Sequence, residues 1–151
     1  MNRGGRRFLL ATIGAVAMLV LVISTVFAQT TLTTTLSGAE EAQAADPNAK
    51  GFISLELHED GTVCYTAKLQ GISDDTLILG HIHGQAGPGV NAPPVIDLMP
   101  TEADRHGNEI SNCVTGDPAV VAAVVATPSM YYVNFHTDVW PAGAMRGQLG
   151  D

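Results

Sequence analysis

The sequence predicts an all-β fold, an antiparallel sandwich or barrel with one short helix. Three observations predict it. Short segments alternate apolar and polar residues with the period of two that a half-buried strand requires. Turn-forming clusters separate those segments at regular spacing. Only one stretch, beginning at Asp117-Pro118, carries the signals of a helix.

Taken in order, residues 30–36 are threonine-rich and suit a first strand, because β-branched side chains pack well on a pleated surface. Residues 37–50 form a polar loop with Asp46-Pro47-Asn48 as its turn. In 51–58, Ile53, Leu55 and Leu57 share one face, with Phe52, Ser54, Glu56 and His58 on the other. Glu59-Asp60-Gly61 closes a hairpin, Asp-Gly being a strong hairpin cue. Residues 62–70 alternate again and place Cys64 on the polar face, with Thr66, Lys68 and Gln70. Further strands are expected at 77–83, 95–99 and 110–115. In the last of these Cys113 lies with Ser111 and Thr115. Asp117 is a good N-cap and Pro118 suits the first helical position, so 119–126 is the helix. Thr127-Pro128 ends it. Residues 131–136 and 144–149 are the final strands, joined by a loop carrying Trp140-Pro141-Ala142-Gly143.

The N-terminus has a different character. Arg3, Arg6 and Arg7 precede an apolar run over 8–23, and Val26-Phe27-Ala28 offers a cleavage site, so residues 1–28 read as an export signal. Arg6-Arg7 does not extend into a twin-arginine pattern, so the general secretory route is expected. No cysteine follows the run to take a lipid. An uncleaved membrane anchor is the alternative, although the run is short of the about 20 residues that a span needs. Cleavage after Ala28 leaves one domain, 29–151. The chain's seven basic residues less Arg3, Arg6 and Arg7 leave this domain four against fifteen acidic ones, a net charge of −11. So acidic a domain is a poor partner for nucleic acid or an anionic membrane surface, which need concentrated Lys and Arg.

In an exported chain two cysteines form a disulfide by default, which pairs Cys64 with Cys113; two reduced thiols are the alternative. Both fall on hydrophilic strand faces, which suits a surface bridge between strands.

The chemistry-bearing residues lie in two blocks. The first is Gly80-His81-Ile82-His83-Gly84, followed by the constrained run Gln85-Ala86-Gly87-Pro88-Gly89. On a strand His81 and His83 leave on one face. The second is Tyr131-Tyr132-Val133-Asn134-Phe135-His136-Thr137. His81, His83 and His136 are candidate ligands for copper or zinc, since neutral imidazoles suit both and three histidines with an open position is a known arrangement. Arg146 could stand nearby and attract anions. The competing reading is structural: histidines bonded to backbone carbonyls and to Asn134, Thr137 or Gln148, pinning loop 85–94 against the C-terminal hairpin. His58 and His106 read as solvated, as do the acidic pairs Asp74-Asp75 and Glu102/Asp104, which lack a calcium-loop pattern. Trp140 is either a packing residue or an exposed binding anchor. No Gly-x-Ser-x-Gly elbow, His-Glu-x-x-His or phosphate-binding glycine loop is present.

Together the blocks resemble the CHRD domain, repeated in chordin and found singly in microbial secreted proteins. The resemblance covers nearly all of 30–151. It rests on Gly80-His81-Ile82-His83-Gly84 with Pro94-Val95, on 131–137, and on Pro141-Ala142-Gly143 with Arg146-Gly147-Gln148-Leu149. Leu36-Ser37-Gly38-Ala39-Glu40-Glu41 is similar to the family's opening, although Gln43-Ala44-Ala45 stands where the family usually has a proline. The resemblance implies an immunoglobulin-like Greek-key β-sandwich. It implies no settled activity, and chordin's binding of bone morphogenetic proteins does not carry over. Locally, the His81-x-His83 spacing is also similar to the copper strand of the copper/zinc superoxide dismutases, without a counterpart for their bridging histidine or second-metal aspartate. The expected function is an exported, non-enzymatic binding or structural module without catalytic residues. Its partner would be an extracellular protein or cell-envelope component, with a membrane involved only if residues 1–28 stay attached. The alternative is a histidine-based copper or zinc protein with a superoxide-dismutase-like sandwich, with redox activity open to it.

Overall fold

The computed structural model describes residues 1, 29–72 and 76–150, so the expected export signal and Asp74-Asp75 lie outside the described residues. The strands are β1 (Gln29–Ser37), β2 (Lys50–His58), β3 (Thr62–Gln70), β4 (Leu77–Gly84), β5 (Pro94–Asp97), β6 (Arg105–His106), β7 (Glu109–Thr115), β8 (Tyr131–Thr137) and β9 (Met145–Gln148). Helix α1 (Pro118–Ala126) lies between β7 and β8. All pairings are antiparallel, in one sheet of order β5-β4-β8-β9-β1-β2-β3-β7-β6.

The alternation in the sequence becomes the two faces of this sheet. Ile53, Leu55 and Leu57 of β2 and Val63, Tyr65, Ala67 and Leu69 of β3 are buried, as their period predicts. They meet Ile82, Ile96, Val133 and Phe135 from the β4–β5–β8 side in one core, where the Tyr65 and Phe135 rings lie 6.4 Å apart. The sheet therefore curls into a half-barrel with a sandwich-like interior. The enclosure is achieved by one hydrogen-bonded sheet. Helix α1 turns Val121 and Val124 into the same core, and Asp117 Oδ1 accepts from Ala119 N at 2.8 Å as an N-cap.

The sheet turns its corner between β9 and β1, which share the single register pair Ser37↔Arg146. A side chain is excluded there. A Cβ on Gly147 would lie 2.1 Å from the Thr35 carbonyl oxygen. Thr34 Oγ1 donates to Gln148 O at 2.7 Å across the same contact.

Three local expectations are revised. The strand expected at 95–99 runs over Pro94–Asp97, because Asp97 Oδ1 accepts from Met99 N at 2.8 Å and turns the chain, with Met99 at φ 46°. The polar loop around His106 contains the two-residue strand β6, too short to leave a periodic signal. The loop after β1 opens with a 3-10 turn, Gly38–Glu40. The expected surface bridge is present: Cys64 and Cys113 are direct cross-strand partners in β3 and β7 and are disulfide-bonded.

The corner yields a prediction. Gly147→Ala forces backbone apart and should cost about 1–3 kcal/mol of stability or more. Urea denaturation measures it, and a change within about 0.5 kcal/mol, the range of an ordinary surface substitution, would contradict the close approach.

Candidate functional site

Strand β8 is buried along its whole length. Tyr131, Val133 and Phe135 belong to the apolar core. Tyr132, Asn134 and His136 alternate with them and so leave on the other face of the sheet. In the ladders Asn134 stands opposite His81 and Arg146, and Tyr132 stands opposite His83 and Gln148. Directly paired residues share a face, so β4, β8 and β9 together present a polar layer on the side away from the core. His83, Asn134, His136, Arg146 and Gln148 in it are nonetheless buried, and His81 is half-buried.

What covers the layer is the glycine- and proline-rich segment after β4. Arg146, 1% exposed, donates to Val90 O at 3.0 Å, Gly87 O at 3.1 Å and Gln148 Oε1 at 3.2 Å. Its guanidinium carbon lies 3.4 Å from the Tyr132 ring centroid. Gln148 Nε2 donates to Ala86 O at 2.9 Å and Ser129 O at 2.8 Å. The Tyr132 hydroxyl accepts from Ala92 N at 3.2 Å. The His83 ring stacks on Tyr132 at 4.7 Å, nearly parallel. These bonds correct one expectation: Arg146 is buried and directed at loop carbonyls, so it is a strap for the loop and does not present itself to an external anion.

The imidazole nitrogens divide into two sets. Nδ1 of His83 lies 2.8 Å from Ala92 O, and Nδ1 of His136 lies 3.1 Å from Pro141 O. A carbonyl oxygen can only accept, so both Nδ1 atoms carry the proton, and in the neutral ring both Nε2 atoms are lone pairs. Burial lowers the pKa of His83 and of His136, which disfavours a second proton on either ring. Both Nε2 atoms nevertheless face Asn134 Oδ1, at 2.9 Å from His83 and 3.1 Å from His136. His81 Nδ1 lies 3.3 Å from His136 Nε2. One ligand atom from each of the three histidines falls within 4.8 Å of the others. A proton on His81 Nδ1 can satisfy His136; it leaves His83 Nε2 and Asn134 Oδ1 as facing acceptors. In this amide orientation the cluster is short of donors; a cation, or the donor end of the Asn134 amide, would relieve the shortage.

Glu41 adds to the imbalance. Its Oε2 accepts from Gln43 Nε2 at 3.0 Å, while its buried Oε1 has no hydrogen-bond partner among the described residues. Burial raises the Glu41 pKa, and Arg146, the Asn134 amide and the Gln43 amide pull it back down.

Both readings of the histidines thus meet in the same rings. Their Nδ1 atoms pin the loop and the 137–143 turn, and their Nε2 atoms converge. Asn134 is the shared partner; Thr137 instead accepts from Trp140 N at 3.0 Å through its hydroxyl. Trp140 packs partly against the core, which favours its packing role. His58 and His106 end β2 and β6, on the other half of the sheet. Tyr132 and Asn134 were legible as part of the site, since they alternate with His136. Glu41 and Gln43 were not, because they come from the loop between β1 and β2, far in sequence from both histidine-bearing strands.

The chain matches the family model described as CHRD domain over residues 32–149. It belongs to the CHRD domain family. Comparison with curated proteins and with solved structures gives no match.

The two depressed imidazoles fix a sign for the pH dependence. As pH falls through the ordinary histidine value of 6.5, the unfolded chain takes up protons that the native rings refuse, so stability falls. Glu41, raised above 4.5, acts oppositely and nearer to its own range. The metal-free protein should melt lower at about pH 5.5 than at about pH 7.5, and His83→Gln should lose part of that dependence. Melting curves that do not move over this interval would contradict the buried neutral state.

Proposed function

We propose that this CHRD-family chain is an exported, non-enzymatic module that holds one transition-metal ion, copper or zinc, on His81, His83 and His136. The observation that carries the reading is the tautomer pattern. Two backbone carbonyls fix protons on the Nδ1 atoms of His83 and His136, which leaves their Nε2 lone pairs converging with His81 Nδ1. Metal-bound imidazoles characteristically donate their other N–H to a carbonyl or carboxylate, which sets ring orientation and basicity. An all-nitrogen donor set suits zinc or copper. His81 is the half-buried member, so an open coordination position would face solvent beside it.

The other parts of the reading come from sequence and family. Residues 1–28 have the organisation of a signal peptide, and a disulfide suits an extracytoplasmic compartment. Among the described residues no helix is long and apolar enough to cross a membrane. We read the curled sheet as the immunoglobulin-like Greek-key sandwich of the family. The acidic domain would meet an extracellular protein or a cell-envelope component. The reading is of binding rather than turnover, with redox activity confined to copper.

Titration of the metal-free protein with Zn(II) and with Cu(II), followed by calorimetry, tests this. A single ion should bind with micromolar or tighter affinity, and His81→Ala and His136→Ala should each weaken it at least about tenfold. Absence of binding in the wild type, or equal binding by both variants, would refute it and leave the histidines as loop anchors.

A further inference from the structure

The disulfide lies on the outer face of the other half of the sheet, and the strand register sets what stands around it. Glu56, Cys64 and Cys113 are direct cross-strand partners on β2, β3 and β7. Ser54, Thr66 and Ser111 form the next row on the same strands. Residues two apart on a strand share a face, so both rows lie on one surface. Together they line an open cavity of about 310 Å³. Val63, Ala67 and Ile110 of the same strands belong to the core on the opposite face.

The two sulfurs differ in access. Cys113 is exposed, and Cys64 is half-buried. Strands flank Cys64 on both sides, β2 with Glu56 opposite it and β7 with Cys113. Beyond β7 stands β6, which pairs only with Ile110 and Glu109 and stops short of Cys113. A thiolate that opens a disulfide must reach the sulfur it attacks; here that sulfur is Cys113 Sγ. Opening the bond leaves the fold in place. The β3–β7 ladder still pairs from Thr62↔Thr115 to Lys68↔Glu109, and the core contacts lie on the far side of the sheet.

The cavity also has a defined charge. Glu56 is exposed and has no ion-pair partner among the described residues, whereas Lys68, on the same face, lies 3.6 Å from Glu109 Oε2. Ser111 Oγ donates to Thr66 Oγ1 at 3.1 Å, and Ser54 stands beside them in the row. One carboxylate among neutral hydroxyls favours a molecule that carries an ammonium group and repels one that carries a second anion.

We propose that Cys113 is a thiol-exchange site for small aminothiols, whose sulfur joins Cys113 and whose ammonium group is held in the cavity by Glu56. The external thiolate attacks Cys113 Sγ. The S–S bond breaks, and its electron pair leaves on Cys64 Sγ, which takes a proton from water. The incoming thiol is oxidised to a mixed disulfide and Cys64 is reduced, so no other oxidant enters. This site is independent of the metal reading, since the histidine cluster is on the other half of the sheet.

The test equilibrates the folded, oxidised chain with cysteamine, a cationic probe, and separately with 2-mercaptoethanesulfonate, an anionic one. An alkylating quench and peptide mass mapping then locate the adduct. Cysteamine should be found on Cys113, with Cys64 alkylated, and circular dichroism should show the fold retained. In Glu56→Gln the ratio of cysteamine adduct to sulfonate adduct should fall at least about twofold at low ionic strength, the scale of an exposed ion pair. Intrinsic differences between the two thiols cancel in that comparison, as does any change in Cys64 as leaving group. An adduct chiefly on Cys64, exchange seen only in denaturant, or the same ratio in wild type and Glu56→Gln would each overturn the proposal. If Glu56→Gln fails to fold, the wild-type ratio should fall between about 10 mM and 1 M salt, where screening shortens the reach of the carboxylate; a ratio indifferent to salt would overturn the charge selection.

Discussion

A buried layer holding more acceptors than donors is the constraint around which this molecule is arranged. Burying an acceptor without a partner costs roughly 1–3 kcal/mol, and more when it is charged. Native interiors avoid it. Here Asn134 Oδ1 and the Nε2 lone pairs of His83 and His136 gather in one place, and Glu41 Oε1 is buried with no hydrogen-bond partner among the described residues. The cation within reach, Arg146, directs its donors to loop carbonyls and Gln148. A cation bound among these atoms would satisfy several of them together.

The fold serves that layer. Strand β8 is central in its half of the sheet and is covered on both sides, by the apolar core on one and by the segment between β4 and β5 on the other. A segment rich in glycine and proline cannot form regular ladders, so its carbonyls must find other donors. They find them in the layer: Gly87 and Val90 in Arg146, Ala86 in Gln148, Ala92 in His83 and Tyr132. The loop thereby fixes the imidazole tautomer while the imidazole fixes the loop. The chemistry of the site and the closing of the fold are carried by the same bonds.

Much of this was legible in the sequence. The period of two placed Ile53, Leu55 and Leu57 inside and put Cys64 and Cys113 on outward faces. It also put His81 with His83 and set Ile82 against them. The motif blocks identified the family. The single curled sheet was not legible, because the β9–β1 corner depends on one close approach at Gly147 and on no local pattern. The burial of the polar layer was also hidden. Alternation predicts which residues leave on the outer face, and it is silent on whether a loop folds over them. Arg146 was therefore expected at a solvent-facing site and is found beneath a cover. Glu41 carried no signal beyond the family's opening motif, since its burial comes from tertiary packing and not from a local pattern.

Membership of the CHRD family accounts for the fold blocks without specifying chemistry, so any metal chemistry here depends on the converging imidazole nitrogens. X-ray absorption at the zinc edge of the Zn(II)-loaded protein addresses them directly. Three imidazole nitrogens at about 2.0–2.1 Å and one exchangeable oxygen ligand are expected around the zinc. A shell of carboxylate and water oxygens with fewer than two imidazoles would contradict this.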